Sequence, residues 1–262
     1  MRSISILDCT LRDGGYINSW KFGEKTIKDI VKHLEKAGID IIECGFIEDG
    51  DYDHDSSVYD NANRISFFEK KKDTMYVAMI ALGDIDPDII SLRTPGGIDG
   101  IRLTFHKNDI EEEFRQAKLL MDKGYDVFIQ PVGTSTYSDK ELIDLIERVN
   151  DIHPFAFYIV DTLGTMYPSD IQRIFSIIDN NLDDGICVGF HSHNNLQLSF
   201  SNAQTFMSIS QKRNIIIDSS VFGMGRGAGN LTTELITQYI NNTYEQRYSI
   251  SPLLTIMERY LN

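Results

Sequence analysis

The sequence predicts an α/β fold closed as a (β/α)8 TIM barrel, one domain spanning residues 1–262. Three observations predict it. Short apolar runs alternate with amphipathic stretches along the whole chain, the alternation repeats eight times, and 262 residues match the roughly 250 that eight such units occupy. Unbroken alternation of this kind implies parallel strands joined by crossover helices. An open doubly wound sheet is the alternative reading of the same pattern.

Taken in order, residues 4–8 read as the first strand and 24–37 as its helix, closed by Gly38. Residues 39–45 form the second strand, followed by an acidic loop and a helix at 62–71. The third strand, 75–82, precedes a weaker helical segment at 86–92. Strand 100–104 leads to helix 109–123, which Gly124 ends; Asp109 and Glu112 have the spacing of a capping box. Strand 126–131 leads to helix 138–150, where Ser138 and Glu141 repeat that spacing. Strands 155–160, 187–193 and 215–219 lead to helices 169–180, 196–208 and 232–243. Residues 248–262 read as one more helix.

Composition narrows the partners. A formal charge of −14 argues against nucleic acid, because phosphate binding needs a basic face. Cys9, Cys44 and Cys187 are scattered without a C-x-x-C pair, the pattern of reduced thiols rather than a disulfide framework. The chain enters its first strand without a charged-then-apolar leader, and no apolar run approaches the roughly 18–20 residues of a membrane helix. The expectation is a cytoplasmic protein with no membrane partner.

In a barrel of this kind the chemistry sits where strands end. Asp13 follows the first strand, Glu43 ends the second, His106 follows the fourth, Asp161 ends the sixth, His191 and His193 end the seventh, and Asn230 follows the eighth. His191 and His193 are two residues apart in a strand, so both imidazoles face the same way, and a carboxylate from another strand would complete a facial set for a first-row divalent metal. The bland alternative is a pair of partly buried histidines. Asp8, Arg12 and Asp13 crowd a strand end before Gly14 and Gly15; an Arg–Asp ion pair at a turn would explain them structurally, a grip on a chelated carboxylate functionally. The glycine-rich run at 223–230 either cradles phosphate through backbone N–H groups or brings Asn230 close to the metal site. The acidic run at 48–55 lacks EF-hand spacing and reads as a solvated loop over the site.

Together these motifs resemble the DRE-TIM metallolyase superfamily. Residues 8–14 are similar to its D-x-T-L-R-D-G signature, 191–194 to its H-x-H-N element, 223–230 to its G-x-G-x-x-A-G-N element, and 161–164 to its D-[ST]-x-G. The resemblance runs through nearly the whole chain in order. It implies Asp13, His191 and His193 as metal ligands, Asn230 as a ligand or supporting group, Arg12 polarising a bound keto acid, and Thr162 helping to seat it with Asp161 and Glu43. The DGGY start and the R-x-x-x-H of Arg102 and His106 lean toward the 4-hydroxy-2-oxovalerate aldolase branch. That implies a divalent metal (Mn²⁺ first, with Mg²⁺, Co²⁺ or Zn²⁺ as alternatives) and a 2-oxo acid cleaved to pyruvate and an aldehyde.

Two departures stand out. The branch has a histidine base shortly after L-R-D-G, whereas this chain has Tyr16 there and no histidine until His33; Tyr16, His106 or a metal-bound water are the candidates to replace it. The branch also carries a C-terminal helical domain that contacts a partner dehydrogenase, and such a partner is expected here only if that domain exists. A homo-oligomer is the other assembly expected. The competing functions are a Claisen-type acyl-CoA synthase or lyase on the same metal site, and a degenerate barrel acting as a scaffold.

Overall fold

Apolar residues on both faces of each strand call for cover on both sides, and a closed barrel ringed by helices supplies it. The computed structural model describes residues 3–66, 69–210 and 212–260. Its strands are β1 (Ile4–Asp8), β2 (Ile41–Ile47), β3 (Val58–Tyr59), β4 (Met75–Ala81), β5 (Gly100–Phe105), β6 (Asp126–Pro131), β7 (Ala156–Asp161), β8 (Cys187–Ser192) and β9 (Ile215–Ser219). Neighbours run β1-β9-β8-β7-β6-β5-β4-β2, all parallel, and a further pairing of β1 with β2 closes the ring. The short β3 hangs on β2 outside it, with Phe46 opposite Val58. The predicted eight-stranded (β/α)8 TIM barrel is therefore what forms.

Side-chain alternation splits the core in two. Ile6, Ile42, Ile80, Leu103, Ile129, Ile159, Phe190 and Ile217 point outward against the helices. Leu7, Ile41, Val77, Phe128, Tyr158 and Ile216 fill the barrel interior. Each fully buried side chain of this kind contributes about 1.5–3 kcal/mol.

The helices are α1 (Glu24–Ala37), α2 (Ile110–Asp122), α3 (Asp139–Ile152), α4 (Pro168–Asn181), α5 (Ser199–Ile209), α6 (Thr233–Thr243) and α7 (Ile250–Tyr260). In α1, Ile27, Ile30, Val31 and Leu34 recur at helical spacing and are all buried; the helix ends where Gly38 takes a left-handed φ of 81°. Ser138 and Glu141 form the expected capping box at the start of α3. Asp109 is the N-cap of α2, but its side chain makes no capping bond, so the second capping box is not built. α7 packs on α1, and its approach is pinned by Tyr248, whose hydroxyl donates to Asp40 at 2.5 Å, while Arg247 reaches the Ile4 carbonyl.

Two expected helices are absent. Instead of a helix at 62–71 there is one turn, Ala62–Arg64, capped by Asn61; residues 67 and 68 fall outside the described residues. Instead of a segment at 86–92 there is a single turn, Pro87–Ile89. Here the Lys123 ammonium donates to the carbonyls of Pro87, Asp88 and Ile90, satisfying backbone acceptors that a helix would have satisfied itself. The helix after β8 starts three residues later than expected, because Asn194 holds the intervening turn through the N–H and hydroxyl of Ser199. Among the described residues, no helix is long and apolar enough to cross a membrane.

α2 buries Glu113 with neither carboxylate oxygen hydrogen-bonded among the described residues, and burial pushes its carboxyl well above the ordinary range. The folded protein thus holds a proton that the unfolded chain releases above about pH 4.3, and stability drains as pH rises past that value. Glu113→Leu is expected to raise unfolding stability at pH 8 by on the order of 1–3 kcal/mol, the usual cost of an unsatisfied buried group, with the gain shrinking toward pH 4. Urea melts at both pH values measure this.

Candidate active site

The loop after β1 is wound tightly enough to fix its side chains. The amides of Arg12 and Asp13 both donate to the Cys9 carbonyl, Ser57 Oγ donates to the Leu11 carbonyl at 2.6 Å, and Trp20 Nε1 donates to the Arg12 carbonyl at 2.7 Å. Arg12 and Asp13 are consequently buried, although they lie in a loop.

Beneath them a layer of charge spans the barrel. Arg102 on β5 sits between Glu43 on β2, at 2.7 Å, and Asp218 on β9, with its guanidinium over the ring of Tyr158. The Arg102–Glu43 contact is close but poorly aligned for a hydrogen bond. The other oxygen of Glu43 accepts from Arg12 Nε at 2.8 Å, and Arg12 Nη1 lies 3.0 Å from Asp13. Asp218 accepts from the Tyr158 hydroxyl at 3.0 Å and lies 3.0 Å from His191 Nδ1. Burial raises the carboxyl of Asp218, but Arg102 and then His191 outweigh it and hold the carboxyl below its usual value. Asp218 thus fixes which nitrogen of His191 is free: Nδ1 engages the carboxylate and Nε2 is turned up toward Asp13.

At the mouth, Asp13 Oδ2 lies 3.5 Å from His191 Nε2 and 4.0 Å from His193 Nε2, and the two imidazoles meet edge to face with centroids 5.2 Å apart. The Asn230 amide is 2.6 Å from the same oxygen. The sequence-predicted set of Asp13, His191, His193 and Asn230 is therefore brought together. Burial pushes the Asp13 carboxyl up, yet Arg12 and the two histidines outweigh it and hold it below the usual range. Burial, reinforced by His191, brings His193 down to about 4.

This donor set suits a divalent cation. The gaps from carboxylate to imidazole exceed hydrogen-bond length and approach the about 3 Å that separates neighbouring ligands bound at about 2.1 Å to a common ion. His193 Nδ1 and Asn230 Oδ1 are buried without a hydrogen-bond partner among the described residues, and a neutral imidazole is what a metal needs. Cys9 Sγ also lies within 4.8 Å of ligand atoms of Asp13 and His191. Its thiol donates to the Ser219 carbonyl and is raised well above its usual value by burial, which makes it a wall of the site.

The remaining expected residues fall into different roles. Glu43 lies beneath the mouth, with one oxygen on Arg12 and the other beside Arg102. Asp161 accepts from the amides of Thr165 and Met166, and Thr162 Oγ1 accepts from the Gly133 amide, so both hold loops together. Tyr16 stands at the rim, 40% exposed, its ring against Trp20 and 4.7 Å from the Arg226 guanidinium. His106 is exposed beyond β5 and makes no hydrogen bond or ion pair to Asp13, His191 or His193 among the described residues. In the glycine-rich run, the amides of Gly223, Met224, Ala228, Gly229 and Asn230 are spent on protein acceptors, and a Cβ at Gly225 would meet the Asn230 amide at 2.7 Å. That run seats Asn230 beside Asp13. The acidic loop is exposed and gathers no metal-competent trio among the described residues. A cleft at the opposite face, lined by Asp40, Lys72, Asp99 and Phe155, engages its two aspartates in hydrogen bonds and ion pairs with Tyr248, Tyr76, Lys70 and Arg93, so the site is assigned on the chemistry at the mouth.

Sequence reasoning missed Asp218 and Tyr158. The signal was Asp218's position two residues after Ile216, which places a carboxylate inside the barrel. Asp218→Asn is expected to cost about 3–5 kcal/mol in urea unfolding, because it strips a counter-charge from the buried Arg102.

Comparison with known proteins identifies the family. The family model described as HMGL-like matches residues 100–255. An oxaloacetate decarboxylase of Mycobacterium tuberculosis is 27% identical over 88% of this chain and 68% of its own length. A 4-hydroxy-2-oxovalerate aldolase of Geobacillus genomosp. 3 is 26% identical over 92% and 71%. Among solved structures, the N-terminal domain of a Bacteroides vulgatus protein assigned as an aldolase superposes with a TM-score of 0.84 at 25% identity, covering 98% of this chain and 88% of that one. An HMG-CoA lyase from Brucella melitensis shares the fold at TM-score 0.74 and 13% identity, covering 98% and 96%. A barrel with an aspartate and two histidines at its mouth, matched by that family model over more than half its length, belongs to the HMGL-like family of the DRE-TIM superfamily.

Proposed function

We propose that this chain is a metal-dependent aldolase, a carbon–carbon lyase that cleaves a 4-hydroxy-2-oxo acid to pyruvate and an aldehyde or runs the reverse condensation. The observation that carries the reading is the Asp13 carboxylate facing His191 and His193 at 3.5 and 4.0 Å inside the mouth. The names of both relatives support it. Oxaloacetate and 4-hydroxy-2-oxovalerate are 2-oxo acids that break between C3 and C4, and each leaves its electron pair on the carbon beside the ketone.

Asp13, His191 and His193 would hold the cation, with Asn230 beside them. Manganese is the first choice for this mixed oxygen and nitrogen set. A divalent cation so held supplies Lewis-acid polarisation of the keto oxygen, worth several kcal/mol to the charge that develops there. Arg12, locked by Asp13 and Glu43, presents its remaining N–H groups to the substrate carboxylate and keto oxygen. Asp218 keeps His191 in the tautomer with Nε2 outward. Tyr16, exposed at the rim, passes its own hydroxyl proton to water as its oxygen takes the proton of the C4 hydroxyl and the C3–C4 bond breaks; the aldehyde departs, and the three-carbon enolate takes a proton from water at C3 to become pyruvate.

Decarboxylation of a 4-carboxy-2-oxo acid is a second reading. One observation favours it: His106 is exposed outside the cluster, and loss of CO₂ requires no base.

Pyruvate release from a panel of 4-hydroxy-2-oxo acids, with and without Mn²⁺, tests the proposal. His193→Ala is expected to abolish both Mn²⁺ binding by calorimetry and turnover while circular dichroism stays unchanged; retained turnover sinks the ligand assignment. Tyr16→Phe is expected to lower aldol kcat about 10²–10⁴-fold with KM little altered, as removal of a positioned base does. If oxaloacetate is the substrate instead, Tyr16→Phe leaves its decarboxylation intact.

A further inference from the structure

Across the barrel from β1 and its Asp13 loop, the wall carries a buried polar group with no hydrogen-bond partner among the described residues. Gln130 is the penultimate residue of β6, and β6 lies four positions from β1 in either direction around the ring. Val127 and Ile129 face the outer helices and Phe128 fills the interior, so alternation turns Gln130 inward near the C-terminal end of its strand. It is only 2% exposed, and its Nε2 has no hydrogen-bond partner among the described residues. The inward residues of the two neighbouring strands offer little: Val160 is apolar, the Tyr158 hydroxyl is committed to Asp218, and Thr104 Oγ1 already donates to the Gln130 carbonyl. Of the other buried groups without partners, Glu113 and Tyr137 belong to the outer helical layer and its loops, while Glu43, Arg102, His193 and Asn230 belong to the charged layer and metal-competent set already described. A buried amide donor left open at the mouth of a barrel is accounted for by an acceptor that arrives with the substrate.

The charges in the cup say which acceptor. Arg12 and Arg102 face three carboxylates, Asp13, Glu43 and Asp218. A divalent cation and one 2-oxo acid carboxylate bring that cup to neutrality. A second carboxylate carried to the β6 side would then be buried without a counter-charge, because Gln130 is neutral and Arg102 is already doubly paired. A neutral oxygen fits.

Resting on the aldolase reading, we propose that Gln130 binds the end of the substrate remote from the cation by donating to a hydroxyl, so that the aldehyde partner is a hydroxyaldehyde rather than a plain alkyl or carboxylate-bearing one. Glycolaldehyde and propanal differ by little more than that hydroxyl. In condensation with pyruvate, Gln130→Met, which keeps the volume and loses the donor, is expected to raise KM for glycolaldehyde about tenfold, the effect of one hydrogen bond, and to leave KM for propanal within about twofold. A second readout is independent of turnover. The Gln130 side-chain amide resonance, identified by its loss in Gln130→Met, is expected to move when glycolaldehyde is added to the pyruvate-loaded protein and to stay put with propanal. Equal effects of the substitution on both aldehydes, a motionless amide, or a preference for succinic semialdehyde would overturn the proposal. Exchange of pyruvate methyl protons with D₂O, run in both proteins, separates the two levels. Exchange without a change in aldehyde preference refutes Gln130 alone, and absence of exchange in the unsubstituted protein removes the aldolase reading and this proposal with it.

Discussion

A single buried cation, the guanidinium of Arg102, organises the interior of this barrel. It lies on β5 and holds Glu43 of β2 on one side and Asp218 of β9 on the other, so one side chain ties together three strands that are not all neighbours in the ring. Full burial of such a charge is tolerable only with close, compensating partners, and both of its partners are passed upward: Glu43 to Arg12, Asp218 to His191. The layer that compensates the buried guanidinium is therefore also the layer that aims the groups at the mouth. Core packing and site geometry are one structure here, and a change to either propagates to the other.

Above that layer the loops divide the labour. The β1 loop is clamped by Ser57 and Trp20 and supplies an arginine and a carboxylate. The β8 end supplies two imidazoles with a direction imposed by strand alternation. The loop after β9 spends its backbone on its own turn and delivers one amide, that of Asn230. The loops after β6 and β7 are joined through Thr162 and Gly133 and make a rigid far wall. Specialised positions sit on stiff supports, which is what a small, charge-dense site requires if its atoms are to stay within tenths of an ångström of working geometry.

Much of this was legible in the primary structure, for identifiable reasons. The paired histidines could be placed because a period of two is a local property, and Asp13 because strand ends in a barrel share one rim. The helices after β1, β5, β6, β7, β8 and β9 announced themselves by spacing. What could not be read was non-local. Asp218 takes its meaning from Arg102 and His191, which reach it only through strand register. The missing helix after β4 depended on Lys123, more than thirty residues away, supplying donors to stranded carbonyls. Thr162 and Asp161 matched a motif, yet their hydrogen bonds are committed to the backbone of neighbouring loops, a fact that spacing alone cannot reveal.

The clamp at the far end of the chain has a consequence for how the molecule comes into being. β1 pairs with β9 as well as β2, and the carbonyl of Ile4 is held by Arg247, so one edge of the first strand lacks its partner until residues 215–247 have been synthesised. Emerging from a ribosome, its open edge must wait while more than two hundred residues follow, a high-contact-order route that exposes unpaired backbone for the duration. Asp13 and Asn230, 217 positions apart, meet only at that last closure. The cluster at the mouth is thus completed only when the first and last strands of the barrel meet.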